Sequence, residues 1–156
     1  MKEKFKQRLD ENKFVDLANC RNTSQQEKYL EIYKKNYDPF GERSKIEDLG
    51  NEIISDTDYW IVIRNQHYKD PKRKHHFVVI LKRFIKTTEE LRSEEILDAF
   101  KTLSEINLRF QICGGALLMR YGDTRLSGAS VKHLHFHIVE PSSNEAIPLY
   151  VGCKID

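Results

Sequence analysis

Three histidines, His133, His135 and His137, alternate with apolar residues over five positions and make up half of the six histidines in the chain. Successive side chains of a β-strand point to opposite faces. The spacing therefore predicts that the three imidazoles line one face of a strand, while Leu134 and Phe136 line the other. Near neutral pH an imidazole can bind a metal, transfer a proton or attack an electrophile. The stretch therefore predicts a chemically active site.

One interpretation of this stretch is a metal site. Two histidines at alternate positions of a strand can chelate zinc when a third ligand comes from elsewhere. The outer two of the three histidines lie about 13 Å apart, at roughly 3.3 Å of rise per residue, so one ion cannot bind all three. A metal would need His133 with His135, or His135 with His137, together with His75 or His76. A half-exposed strand that alternates by coincidence is the simplest alternative.

A further interpretation is nucleophilic catalysis at phosphorus. A neutral imidazole can attack an α-phosphate and form a phosphoramidate, which divides one difficult step into two. Neighbouring imidazoles and backbone amides would then stabilise the charge that develops on the phosphoryl oxygens. His135 has an imidazole on each side and is the expected nucleophile. Because the nucleophile must be neutral, the unperturbed imidazole pKa of about 6.5 predicts that activity falls below that pH.

The composition is typical of a soluble globular protein, with 39% hydrophobic and 32% charged residues among 156. This length predicts one domain with its own core, and a net charge of +2 implies no general attraction to nucleic acid. The three cysteines are widely separated and match neither a disulfide framework nor a metal-binding spacing. Apolar runs are too short to span a bilayer and the first residues are polar, so we expect a cytoplasmic protein without a signal peptide.

Apolar patterning predicts an α+β fold. We expect a helical extension over residues 1–45, with one helix from Thr23 to about residue 38, and a catalytic domain over residues 46–156. One long helix is expected from about residue 93 to 111. Strands are predicted over residues 52–55, 59–63, 76–81, 116–119 and 133–139, with a possible edge strand over 147–151. Grouped strands with one long helix favour a mostly antiparallel, five-stranded sheet that carries the helix on one face.

The stretch from His133 to Val139 resembles the histidine-triad (HIT) pattern His-φ-His-φ-His-φ-φ, in which φ is apolar. Three more segments follow the order of that family, at residues 60–65, 76–82 and 128–132. The resemblance covers roughly residues 50–141 and implies a HIT-like fold. Residues 114–123 also look like bacterial members akin to diadenosine tetraphosphate hydrolases.

This resemblance implies a nucleotide hydrolase or nucleotidyl transferase. It would cleave at the α-phosphate of a nucleoside phosphate, a phosphoramidate or a dinucleoside polyphosphate, through a covalent nucleotidyl intermediate on His135. His133 and His137 would contact the phosphates and orient the nucleophile. Ser130 would donate a hydrogen bond to the bridging or leaving atom, and His76 would support the triad. A metal-dependent hydrolase and a nucleotide-binding sensor without turnover remain alternatives.

The resemblance also implies roles at the edges of the site. Asn65 would bind the ribose hydroxyls, and Arg120 either contacts a phosphate or is the solvated end of a strand. Apart from the resemblance, the basic residues within the segment 69–74 form a short charge cluster, which either attracts a polyphosphate tail or is a solvated loop.

The resemblance makes two further statements about cofactors and partners. The nucleophilic step would need no metal. Many bacterial relatives carry a zinc-binding Cys-x-x-Cys pair near the start of the chain. The comparable stretch here, from Asp38 to Gly41, has no thiol, so we expect no structural zinc. Members of the family commonly form homodimers through the long helix and a neighbouring strand, and we expect the same here. Neither a membrane nor a specific nucleic acid is expected as a partner.

Overall fold

The computed structural model describes residues 12–65 and 70–152. Within these ranges the strands are β1 (Ile53–Asp56), β2 (Trp60–Arg64), β3 (Arg73–Leu81), β4 (Ala116–Met119) and β5 (His135–Pro141). The α-helices are α1 (Thr23–Lys35), α2 (Arg43–Asp48), α3 (Ser93–Phe110) and α4 (Thr124–Ser127). All strand pairs are antiparallel, in the order β1-β2-β3-β5-β4. The predicted α+β fold with a five-stranded antiparallel sheet and one long helix is confirmed.

The central strands β2 and β3 are buried on both faces. Trp60 and Val62 point towards α3, whereas Ile61 and Ile63 point to the opposite face of the sheet. Continuous apolar runs are typical of strands that are covered on both sides. The predicted central position of residues 76–81 is confirmed, and β3 extends further back, to Arg73.

The long helix α3 covers one face of the sheet. Ala99 and Ile106 of this helix are buried in the core that β2 and β3 form on that face. The indole Nε1 of Trp60 donates a hydrogen bond of 2.8 Å to the carbonyl oxygen of Glu95. Packing and this buried hydrogen bond together fix α3 over β2.

The N-terminal segment covers part of the opposite face. Ile32 of α1 and Ile46 of α2 are fully buried against the outer side of β2 and β3, and each contributes roughly 2–3 kcal/mol through burial. α1 ends at Lys35, earlier than predicted, because Asn36 adopts a left-handed φ of 47°. The part of this face that the N-terminal segment leaves uncovered forms a cleft.

The possible edge strand over residues 147–151 is absent, and β5 begins later than predicted. Residues 147–151, all within the described part of the chain, form no strand; Pro148 has no N–H for a ladder, and the carbonyl of Tyr150 accepts instead from the Arg120 guanidinium. β5 begins at His135 rather than at residue 133, because the N–H of Leu134 donates to the carbonyl of Ile85, outside the sheet.

None of the helices in the described ranges is long and apolar enough to cross a bilayer.

Candidate active site

The cleft lies on the face of the sheet opposite α3, between β5, α1 and the C-terminal segment. β5 supplies two of its imidazoles, His135 and His137, which pair in register with Ile80 and Val78 of β3. The alternation predicted from the sequence holds for this pair, since the intervening Phe136 points into the core under α3. The strand therefore delivers two rings to the cleft.

His133 is placed differently from its predicted position in a row of three rings. Its side chain has no exposed surface and is not part of the cleft wall. Nδ1 lies 2.7 Å from Oδ2 of Asp38, and Nε2 donates to the carbonyl of Leu81. The ring turns inward because residue 133 precedes the regular strand. Its carbonyl oxygen still reaches the site, where it accepts a hydrogen bond of 2.7 Å from Nδ1 of His135.

Arg73 determines which nitrogen of the His76 ring carries the hydrogen. A guanidinium has only donors, so Nη1 of Arg73 donates to Nδ1 of His76 over 3.1 Å. Nε2 of His76 then carries the hydrogen and donates to Nδ1 of His137 over 2.9 Å. His137 therefore keeps its own hydrogen on Nε2. The predicted contact between His76 and the triad is present in the structure.

The same reasoning gives His135 the opposite polarity, which here means that its hydrogen lies on Nδ1 rather than on Nε2. A backbone carbonyl only accepts, so Nδ1 of His135, which lies against the carbonyl of His133, carries the hydrogen. Nε2 of His135 is left with the lone pair. The ring centroids of His135 and His137 are 5.2 Å apart. One nucleophilic nitrogen and one N–H donor thus lie side by side.

Burial keeps these rings neutral. It lowers the pKa of His135 to about 4 and that of His76 to about 3. Burial also lowers the pKa of His137 well below its ordinary value. The positive charge of Arg120 lowers all three further. At neutral pH the nucleophilic nitrogen, Nε2 of His135, is therefore already unprotonated.

Four cationic side chains line the cleft: Arg21 and Lys28 from the N-terminal segment, Arg73 of β3, and Arg120 after β4. No carboxylate is part of this wall in the ranges that the structure describes. Burial, followed by the positive charges of Arg21 and Arg73, lowers the pKa of Arg120 to about 10, so the guanidinium is still charged at neutral pH. Oδ2 of Asp70, outside this wall, lies 3.5 Å from Nε of Arg73. Four cationic side chains in one cleft favour a polyanionic ligand.

Some of these cations could not be found from the sequence. Arg73 was expected in a basic loop, but β3 extends to include it, and its side chain turns towards His76. Lys69 of the same predicted cluster lies outside the described residues. Arg21 and Lys28 carry no local signal, because only the packing of α1 beside β5 places them at the cleft.

Ser130 lies in the cleft wall, on a loop that the N-terminal segment holds in place. The N–H of Asp16 donates to the carbonyl of Ser130 over 2.8 Å, and the amide of Asn19 donates to the carbonyl of Ala129 over 2.9 Å. Nε2 of Gln25 donates to Oγ of Ser130 over 3.4 Å. The hydroxyl hydrogen of Ser130 is thus available for an acceptor in the cleft.

Asn65 follows β2 and lies in the same wall. Its backbone N–H donates to the carbonyl of His76 over 2.9 Å, and its Nδ2 lies 3.3 Å from the ring nitrogens of His76. The structure thus gathers most of the predicted site residues around one cleft and leaves out only His133. The gathered residues are Asn65, His76, Arg120, Ser130, His135 and His137.

No group of three His, Cys, Asp or Glu side chains among residues 12–65 and 70–152 is arranged to hold a metal ion. His75, one of the possible extra ligands, lies on the other face of the sheet, where its ring stacks on Phe77 at a centroid distance of 5.6 Å and an angle of 17°. The expectation that structural zinc is absent stays a prediction.

A family model described as the HIT domain matches residues 48–144, which is more than half of the chain. The fold and the histidine cleft agree with this match, and the chain belongs to the HIT domain family. No curated protein matches the chain. The matched region begins after α1, so the N-terminal segment that holds the Ser130 loop lies outside it.

Solved structures similar to this chain share its fold at low sequence identity. A hypothetical protein from Leishmania major has a TM-score of 0.53 at 21% identity, over 71% of this chain and 77% of that one. A HIT family hydrolase from Clostridium thermocellum has a TM-score of 0.51 at 17% identity, over 78% and 95%. A hypothetical histidine triad nucleotide-binding protein from Sulfolobus tokodaii has a TM-score of 0.51 at 17% identity, over 71% and 76%.

Proposed function

We propose that the protein is a nucleotide hydrolase or nucleotidyl transferase in which Nε2 of His135 attacks the α-phosphorus of a nucleotide. The proposal rests on the opposite polarity of the two cleft imidazoles, a lone pair on His135 beside an N–H donor on His137. The nitrogen–phosphorus bond forms as the bond from phosphorus to the leaving group breaks, and the leaving group takes the electron pair and then a proton from solvent. Water or another acceptor then attacks phosphorus and gives up a proton to solvent. The nitrogen–phosphorus bond breaks in this step, and its electron pair returns to Nε2 and restores the neutral imidazole.

The other cleft residues have distinct roles in this proposal. Nε2–H of His137 and the guanidinium of Arg120 stabilise the negative charge on the phosphoryl oxygens. The hydroxyl of Ser130 donates a hydrogen bond to the bridging or leaving atom. Asn65 binds the ribose hydroxyls. His133, which lies outside the cleft, acts on the reaction through its carbonyl and the Nδ1–H of His135.

A dinucleoside polyphosphate, such as a diadenosine polyphosphate, agrees better than a phosphoramidate with the four cations of the cleft wall. Each phosphate beyond the first adds negative charge for Arg21, Lys28 and Arg73 to bind. A phosphoramidate with an uncharged amine as leaving group makes less use of these side chains. We therefore propose that the phosphoramidate is the poorer substrate of the two.

We also propose that the protein forms a homodimer. Leu97 and Phe100 lie on the outer side of α3 and are 58% and 60% exposed. Leu117 of the edge strand β4 is 46% exposed, and it lies on the same side of the sheet as Met119, which packs into the core under α3. We propose that these exposed side chains form one apolar patch, because such patches mark protein interfaces.

The function is tested by measuring nucleotide release from adenosine and guanosine phosphoramidates and from dinucleoside polyphosphates, with products identified by mass. Parent protein quenched in the course of one turnover is expected to carry one nucleotidyl group on His135. H135N should bind nucleotide with little change in Kd, while turnover falls by more than roughly a thousandfold. H75N is the matched control, because His75 lies on the other face of the sheet.

Two results would contradict the proposal in different ways. If H135N turns over substrate as fast as the parent, His135 is not the nucleophile, and loss of activity with a chelator would then favour a metal-dependent hydrolase. If the parent binds nucleotides but converts none of these substrates, the protein is a sensor rather than an enzyme.

A further inference from the structure

A buried pair of side chains, Asp38 and His133, lies directly behind the cleft. Oδ2 of Asp38 is 2.7 Å from Nδ1 of His133, and the exposed fractions of the two side chains are 11% and 0%. Phe40 and Phe84 stand edge-on to the His133 ring, with centroid distances of 6.2 and 5.4 Å and interplanar angles of 72° and 81°. The pair is thus enclosed by aromatic rings and shielded from water.

Both nitrogens of the His133 ring face oxygen atoms. Nδ1 faces the carboxylate of Asp38, and Nε2 faces the carbonyl of Leu81, which can only accept. One hydrogen therefore lies on Nε2, and another lies between Nδ1 and the carboxylate. The ring is held at both ends. Removing the carboxylate would leave Nδ1 buried without its partner, which is costly enough to move the ring.

The turn that contains Asp38 also reaches the nucleophile. Phe40, two residues later, contacts the His135 ring at a centroid distance of 5.2 Å and an angle of 76°. Oδ1 of Asp38 accepts a hydrogen bond of 3.0 Å from the N–H of Phe40. One carboxylate therefore fixes both the His133 ring and the aromatic ring that packs against His135.

We propose that Asp38 is a positioning residue for the nucleophile. It holds His133 in place, and the carbonyl of His133 in turn holds His135 in the form with hydrogen on Nδ1 and a lone pair on Nε2. The inference rests on the function proposed above. Asp38 itself does not line the cleft and precedes the region that the HIT domain model matches, so it acts through other residues.

Two substitutions disturb this carboxylate in different ways. D38N keeps the size of the side chain and one oxygen that can accept from the N–H of Phe40. It removes the negative charge and puts an NH2 donor where Oδ2 faced Nδ1 of His133, so the hydrogen between Nδ1 and the carboxylate loses its acceptor. G41A keeps the charge but adds a Cβ that would lie 3.1 Å from both Cβ and Oδ2 of Asp38, so the carboxylate must move by a few tenths of an ångström. In each variant we expect formation of the nucleotidyl intermediate to slow by about ten- to a hundredfold, with nucleotide Kd nearly unchanged.

Two control variants separate positioning from general stability. D48N makes the same chemical change on the exposed side of α2. I46V removes a buried methylene from the same N-terminal segment without altering the Asp38 carboxylate. For all four variants and the parent, the experiment measures the single-turnover rate, nucleotide Kd, thermal unfolding, and the hydrogen position on each imidazole by nitrogen-15 NMR.

The proposal is supported if D38N and G41A slow the reaction and lose the Nδ1–H form of His135, while D48N and I46V keep both. It is overturned if folded D38N keeps the rate and the His135 form of the parent. It is also overturned if I46V slows the reaction as much as D38N at an equal loss of stability. A parent that converts no nucleotide refutes the proposed function alone, because the NMR comparison still decides whether Asp38 controls His135.

Discussion

The pH dependence of the reaction provides the sharpest test of the buried nucleophile. An imidazole with the ordinary pKa of 6.5 would be about one-tenth neutral at pH 5.5, and the reaction would slow about tenfold. Burial lowers the pKa of His135 to about 4, so almost every ring is still neutral at pH 5.5. We therefore expect the rate of intermediate formation to change little between pH 7.5 and 5.5. This rate should fall only as the pH approaches 4. The sequence alone predicted that activity would fall already below a pH of about 6.5.

The same burial makes protein stability depend on pH. In the unfolded chain the ring takes up its proton near pH 6.5, whereas in the folded protein it does so near pH 4. Between these values the unfolded state binds more protons, so the free energy of unfolding decreases as the pH falls. A tenfold change in proton affinity corresponds to about 1.4 kcal/mol, so His135 alone should cost about 3 kcal/mol of stability by pH 4. His76, with a pKa of about 3, acts in the same direction.

The assay needs a substrate whose own charge is constant over the pH range. A diguanosine polyphosphate is suitable because its phosphates are all linked on two sides and guanine takes up no proton in this pH range. Rapid mixing into buffers from pH 7.5 to 4.0, followed by quenching within one turnover, gives the rate before the protein can unfold. Urea unfolding at each pH gives the free energy of unfolding. The reasoning is refuted if the rate halves near pH 6.5 while the free energy of unfolding stays constant, since His135 would then titrate like an exposed ring.

Two further predictions concern the cations and the exposed face of α3. R120Q should weaken binding of a dinucleoside polyphosphate by roughly ten- to a hundredfold, because it removes a charge-assisted contact worth about 1.5–3 kcal/mol. Calorimetry measures the Kd. An equal effect of R120Q on the Kd of an uncharged nucleoside would contradict the prediction. F100E should convert the dimer to a monomer, because it places a charge in the apolar patch; sedimentation measures the mass. E105K reverses the charge of an exposed residue to one side of the patch on the same helix and is the control. A dimer that survives F100E would show that α3 is not the interface.

Local patterns in the sequence were sufficient for much of the fold. A continuous apolar run, such as Phe77 to Leu81, indicates a strand that is covered on both faces. Alternation of two residue types, as at His135 and His137, indicates a strand whose alternate side chains face a cleft. The apolar repeat of α3 likewise depends on short spacings alone. These features were predicted because their physical cause lies within a single element of secondary structure.

Tertiary structure decided the features that determine the chemistry. The contact between Asp38 and His133 joins positions 95 residues apart, and no local pattern signals it. Arg73 sets the direction of hydrogen bonding from His76 to His137 only because β3 and β5 are paired. The low pKa of His135 likewise arises from burial and from charges on other elements. Sequence spacing determined that His135 and His137 share one face of β5, whereas long-range packing brought the cations to the cleft and determined which nitrogen holds the lone pair.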